Sequence, residues 1–115
     1  MKDLIVFSKK ESCCPVAYTL KVIEGKWKMP ILWVLSQNGT LRFSELKKSV
    51  DGITNLMLTN SLKELVNDGI VNRVQFNEIP PHVEYSLSEK GNKLEKAFNE
   101  LAIWGAEVMN VDTTS

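Results

Sequence analysis

The sequence predicts a mainly helical α+β domain with one small antiparallel sheet, and three observations lead there. Leu58, Leu62, Leu65 and Val66 form one apolar stripe at helical spacing, and the helix stops at Asp68-Gly69. Two short β-prone runs follow, Ile70 to Phe76 and Val83 to Leu87, joined by Asn77-Glu78-Ile79-Pro80-Pro81. A further helix then starts at Ser88 and carries Leu94, Ala97, Phe98, Leu101, Trp104, Gly105 and Val108 along one side. A helix with a polar outer face backed by a two-stranded ribbon is the plan of a winged helix-turn-helix, which lays that helix in a DNA major groove.

Taken in order, the remaining elements fit the same plan. Pro15 suits the first position of a helix, with Cys14 as its cap, so a short helix covers Val16 to Ile23 and ends at Gly25. A second helix spans Trp27 to Gln37, with Ile31, Leu32, Val34 and Leu35 as its apolar residues. Its Pro30 lies in the first turn, where a missing N–H is tolerated. Asn38-Gly39 ends that helix. Leu41-Arg42-Phe43 reads as a short third strand, and Ser44 as the cap of a helix through Val50. Thr54 caps the helix that carries the Leu58 stripe, and the last helix starts at Ser88 and runs to about Met109.

The chain has 115 residues, enough for one hydrophobic core, and is read as a single domain over 1–115. Within it the DNA-reading core spans about 26–88, and the flanking segments, about 14–24 and 89–109, are dimerisation elements. No apolar run approaches the roughly 20 residues of a membrane span, and the short Leu4–Phe7 patch lacks the length of a signal-peptide core. The expectation is a cytoplasmic protein without a membrane partner. Net charge is zero, yet residues 1–50 hold nine Lys/Arg against four acids and residues 51–115 five against ten. Nucleic-acid affinity follows a local basic face, not the sum. The acidic C-terminal half is therefore expected to face away from phosphates.

Opposite the Leu58 stripe lie Asn55, Thr59, Asn60 and Lys63, side chains that donate and accept hydrogen bonds at base edges and phosphates. Thr54 presents its hydroxyl at the start of the same helix. Arg42, Lys47, Lys48 and Arg73 are the candidate contacts to the sugar–phosphate backbone, and His82 the candidate contact from the wing. The plainer alternative for the helix is a solvated face. The broad apolar face of the last helix needs something to cover it, and a second subunit is the expected cover, with Leu94, Phe98, Leu101 and Trp104 at the interface.

The ordered set Cys14-Pro15, Tyr18-Thr19-Leu20, Ile23, Gly25-Lys26-Trp27-Lys28, Leu41-Arg42-Phe43-Ser44-Glu45-Leu46, Gly52-Ile53, Leu58-Thr59, Leu62, Leu65, Asp68-Gly69, Pro80-Pro81, Val83-Glu84-Tyr85-Ser86-Leu87 and Gly91 resembles the HxlR-type regulators, bacterial winged-helix proteins related to the MarR group. The resemblance runs from about Cys14 to Gly105. It implies a homodimer on an inverted-repeat operator in double-stranded DNA. The recognition helix would lie at 54–67 and the wing tip at Asn77 to His82. Several members of that family sense oxidants or electrophiles through a Cys at the position of Cys14. This chain departs from the pattern in having His82 where the wing usually carries Arg, Leu56 at a position often basic, and an extra thiol, Cys13.

Cys14 at a helix N-terminus sits where exposed N–H groups and the helix dipole favour a thiolate, with Lys9 and Lys10 adding positive potential and Glu11 subtracting some. The alternative is an inert capping residue. No enzyme is expected. The chain has one His, no metal-ligand spacing, no Gly-rich phosphate loop and no GxSxG, so neither catalytic residues nor metal or cofactor are assigned. Two further readings stay open: a small aromatic effector bound among Trp27, Trp33, Phe98 and Trp104, and a winged-helix protein–protein adaptor without a DNA role.

Overall fold

The structure, a computed structural model, describes residues 14–109. Cys13, Lys9, Lys10, Glu11, the Leu4–Phe7 patch and the tail Asp112–Ser115 lie outside the described residues. Along the chain run α1 (Pro15–Ile23), α2 (Lys28–Asn38), β1 (Leu41–Arg42), α3 (Phe43–Ser49), α4 (Asn55–Asn67), β2 (Val71–Phe76), β3 (His82–Leu87), α5 (Glu89–Asn92) and α6 (Leu94–Met109). The three strands form one antiparallel sheet in the order β1-β3-β2. In its register Leu41 faces Tyr85, Arg73 faces Tyr85 from the other side, and Phe76 faces His82. The mainly helical winged helix-turn-helix expected from the sequence is the fold observed, with α3 and α4 as the helix pair and β2–β3 as the wing.

Most of the core is supplied by three leucine-rich helices. Ile31, Leu32 and Leu35 of α2, Leu46 of α3, and Leu58, Leu62 and Leu65 of α4 are all buried. Val71 and Leu87 close the core from the sheet, and Phe98 from α6. Each such side chain contributes about 1.5–3 kcal/mol of burial. Helix α2 is the hub, touching α3, α4, α6 and β3.

Two local expectations are corrected. Ser44 does not cap α3. The Arg42 N–H is taken by the Glu45 carboxylate at 2.8 Å, which ends the strand at Arg42 and starts the helix at Phe43. The last helix is also not continuous. Its first turn, α5, packs on β3, whereas α6 packs on α2, with Lys93 between the two.

The junction at the start of α5 is made by Ser88 and Gly91. The Ser88 hydroxyl donates to the Gly69 carbonyl at 2.6 Å, lies 3.0 Å from that of Ile70, and accepts the Gly91 N–H at 3.0 Å. The Ser88 N–H donates to the Ile70 carbonyl at 2.9 Å. Gly91 is buried so tightly that a Cβ built on it would run into the Ile70 carbonyl oxygen. Gly91→Ala must therefore push two backbone segments apart. The expected cost is about 1–3 kcal/mol, read as a fall in thermal midpoint of roughly 4–8 °C per kcal/mol.

Candidate nucleic-acid interface

The interface is built on α4. Thr54 is its cap, accepting the Met57 N–H at 3.1 Å, and Leu58, Leu62 and Leu65 fix which face turns inward. The face directly opposite carries Leu56, Asn60, Lys63 and Asn67, four, three and four residues apart and all exposed. Asn55 is exposed at the first turn, and Thr59 is half-buried on one flank. The other flank is tied to α2 by Lys28, whose Nζ lies 2.9 Å from Glu64 Oε2.

Between α4 and the wing runs a cleft of about 350 Å³. Leu62 and Val66 form its floor, with Thr59, Lys63 and Asn67 on the helix side and Arg73 and Tyr85 on the sheet side. Side chains alternate across a strand, so Arg73 shares the α4-facing side of β2 with the core residue Val71. Two cations, two hydroxyls and an amide thus border one concave surface, and no carboxylate lines it.

The wing tip is different in kind. Between Asn77 and Pro81 the only charged residue is Glu78, and Ile79 is fully exposed. His82, expected to reach DNA from the wing, is turned back into the hairpin. Its ring stacks on Phe76 with centroids 4.7 Å apart. Its Nε2 hydrogen-bonds the Glu84 carboxylate at 3.0 Å, and the side chain is only 16% exposed. Pairing across the ladder puts the two rings face to face, and that contact withholds His82 from solvent.

Of the remaining expected residues, Arg42, Lys47 and Lys48 are exposed at the two ends of α3. The four expected interface residues of the last helix divide. Phe98, 4% exposed, belongs to the core of its own chain, and Leu94, half-buried, packs against that core. The reason is length: α6 begins over α2, and its later turns leave Leu101, Ile103, Trp104, Val108 and Met109 exposed. Val16, Tyr18 and Leu20 of α1 are exposed as well. Cys14 caps α1 as expected, its Sγ accepting the Ala17 N–H at 3.5 Å, but the residue is only 9% exposed.

The aromatic site left open among Trp27, Trp33, Phe98 and Trp104 is not formed within the described residues. Trp27 and Trp33 pack on the core, Phe98 is within it, and Trp104 stands 65% exposed. A hollow of about 190 Å³ lies elsewhere, between Tyr18, Val22 and Ile23 of α1, Ile70, and Leu94 of α6, with Asp68 and Lys90 at its edge. Among the described residues no cluster of His, Cys, Asp and Glu could hold a metal ion, and no helix is long and apolar enough to cross a membrane. Asn67 and Tyr85 of the cleft were not among the residues expected from sequence, and Leu56 was noted there only as a departure from the family pattern. Stepping by helical repeats from Asn60 and Lys63 reaches Leu56 and Asn67, whereas Tyr85 enters only through strand register.

Comparison with known proteins agrees with this geometry. The family model of HxlR-like helix-turn-helix proteins matches residues 22–113. The HTH-type transcriptional regulator YtcD of Bacillus subtilis (strain 168) is 48% identical over 102 residues, covering 89% of this chain and 80% of YtcD. The crystal structure of a MarR-family transcriptional regulator from Porphyromonas gingivalis W83 superposes with a TM-score of 0.81 at 35% identity, covering 90% of this chain and 98% of that one. The redox regulator HypR matches in its oxidised form (TM-score 0.73, 46% identity, 82% of this chain and 96% of that one). Its reduced form matches with a TM-score of 0.76 at 42% identity, covering 82% and 92%.

The Thr54 cap gives the interface a direct stability test. Thr54→Ala should lower the unfolding free energy by about 1 kcal/mol, while Thr54→Ser, which keeps the accepting oxygen, should stay close to wild type in a urea titration.

Proposed function

This chain belongs to the HxlR-like helix-turn-helix family of transcriptional regulators, and from that premise we propose that it binds an inverted-repeat operator as a homodimer. The observation that carries the reading is the outer face of α4, exposed and mostly polar beside a cleft bordered by cations and hydroxyls. In the bound state α4 lies in the major groove, with Asn55, Thr59 and Asn60 towards base edges and the Thr54 hydroxyl near a phosphate. Lys63 and Arg73 grip the sugar–phosphate strand that crosses the cleft, and Arg42, Lys47 and Lys48 add contacts from α3. The wing contributes through Arg73 at its base; His82 acts by holding the hairpin's shape. The segment 26–88 is then the DNA-reading part.

The segments 14–24 and 89–109 carry the subunit contact. Exposed Val16, Tyr18 and Leu20 on α1 and Leu101, Trp104 and Val108 on α6 are large apolar side chains that a second copy would cover. Cys14 lies at the start of α1, so chemistry at its sulfur would act on the helix that joins the subunits. HypR, a redox regulator solved in two oxidation states, supports assigning this chain a thiol response as well. Burial of Cys14 requires the α1 start to open before an oxidant reaches it. A second reading, a small-molecule effector, is favoured by the hollow between α1, Ile70 and α6. A thiol sensor loses its response in Cys14→Ser; a pocket sensor keeps it.

Three measurements test this reading. Binding to a labelled duplex from the gene's upstream region should weaken steeply with salt, with a log–log slope near −0.9 per phosphate contacted. Diamide should change that affinity in wild type and leave Cys14→Ser unaffected; an equal response in both would remove Cys14 from the mechanism. Leu101→Glu with Trp104→Glu should give a folded monomer by light scattering and reduce affinity at least tenfold, whereas a variant that stays dimeric would place the subunit contact elsewhere.

A further inference from the structure

We propose that α4 reads A·T base pairs, with Leu56 packed against the 5-methyl group of a thymine. The inference rests on α4 being the helix that enters the groove. Leu56 is 70% exposed at the second position of that helix, on the stripe that faces directly away from the core. The other strongly exposed large apolar residues lie on α1, α6 and the wing, apart from Met57 beside it. Leu56 therefore stands apart from the face that a second subunit would cover. Its neighbours on the outer stripe are Asn60, one turn on, and then Lys63 and Asn67.

The cations of the interface are placed for phosphates. Lys63 borders the cleft that also holds Arg73, and from Asn55 to Leu62 the helix has no Lys or Arg. Guanine is most often recognised by Arg or Lys across its O6 and N7, and the first two turns of α4 offer neither. They offer amides. The carboxamide of Asn55 or Asn60 presents a donor and an acceptor together, the pattern that matches adenine N6 and N7. The thymine opposite an adenine carries the one apolar group on the major-groove edge, and Leu56 is the apolar side chain beside those amides. Leu56 and Asn60 are separated by about 6 Å along the helix axis, within reach of neighbouring base pairs. An amide and a leucine one turn apart thus suit the two halves of an A·T step.

The test uses the full chain and duplexes enriched by it from a random pool. Each thymine of the enriched half-site is replaced in turn by deoxyuridine, which removes the methyl group and leaves base pairing intact. One position per half-site should weaken wild-type binding about fourfold, the factor that burying one methyl group corresponds to. The same replacement should be neutral for Leu56→Ala, whose fold is checked by its thermal midpoint and should be unchanged at so exposed a site. The inference is overturned if the enriched half-sites are G·C at the contacted positions. It is equally overturned if deoxyuridine is tolerated throughout, or if Leu56→Ala responds to it as wild type does. Failure to enrich any duplex would sink the DNA-binding proposal itself, which is a different result from tight binding indifferent to thymine methyl groups.

Discussion

The angle between α4 and the wing hangs on one small backbone junction. Gly69, with φ of +76°, lets the chain leave α4 and enter β2 in a single tight step. The two carbonyls at that step, Gly69 and Ile70, are then met by Ser88 from the far end of β3, and Gly91 closes over Ile70. The end of one helix, both strands of the hairpin and the start of α5 therefore meet at one point. The Ile70 carbonyl accepts both the Ser88 N–H and its hydroxyl, and the Gly69 carbonyl, at the exposed turn, accepts the same hydroxyl. Satisfying them with a serine side chain makes the turn rigid without adding bulk.

From that junction the molecule sorts its apolar surface into two classes. The inward faces of α2, α3 and α4 converge on leucines and isoleucines that are almost fully buried, and Phe98 extends this core to the first turns of α6. Beyond Phe98 nothing in the described residues covers Leu101, Trp104 or Val108. A helix with one continuous apolar side thus closes its own core over its first turns and leaves its later apolar side chains exposed. The same division holds on α1, where Ala17 and Ile23 turn inward and Val16, Tyr18 and Leu20 outward.

Charge is sorted as well. The proposed contact to a phosphate strand comes from a long cation at the base of the wing and another on α4, on either side of a cleft without carboxylates. The wing tip carries Glu78 and a bare isoleucine, poorly matched to a groove lined by phosphates. The one residue that could have put positive charge near the tip, His82, is stacked on Phe76 and hydrogen-bonded to Glu84. This hairpin therefore works as a wall for the cleft more than as a probe.

Much of this was legible in the residues alone. The Leu58 stripe, the Thr54 and Cys14 caps and the Pro-rich hairpin turn are signals carried by neighbours within one helical turn or one strand pair, and each reappears in the fold. The outer face of α4 was legible for the same reason, although Leu56 was noted only as a departure from the family pattern and Asn67, in the last turn, was not assigned to that face. What sequence could not supply were outcomes of competition between distant segments. Glu45 capturing the Arg42 N–H moved a helix start. The last helix divides at Lys93 into one piece that packs on β3 and another that packs on α2. Register set Phe76 against His82 and so removed a histidine from the wing's reach, and it brought Tyr85 and Arg73 to the cleft. Helix and strand propensity are local, so the chain by itself determined the elements and their inward faces. Where α6 leaves the core, which side chains are spent inside the molecule and which remain exposed depend on contacts between residues far apart in sequence, and only the tertiary structure decides those.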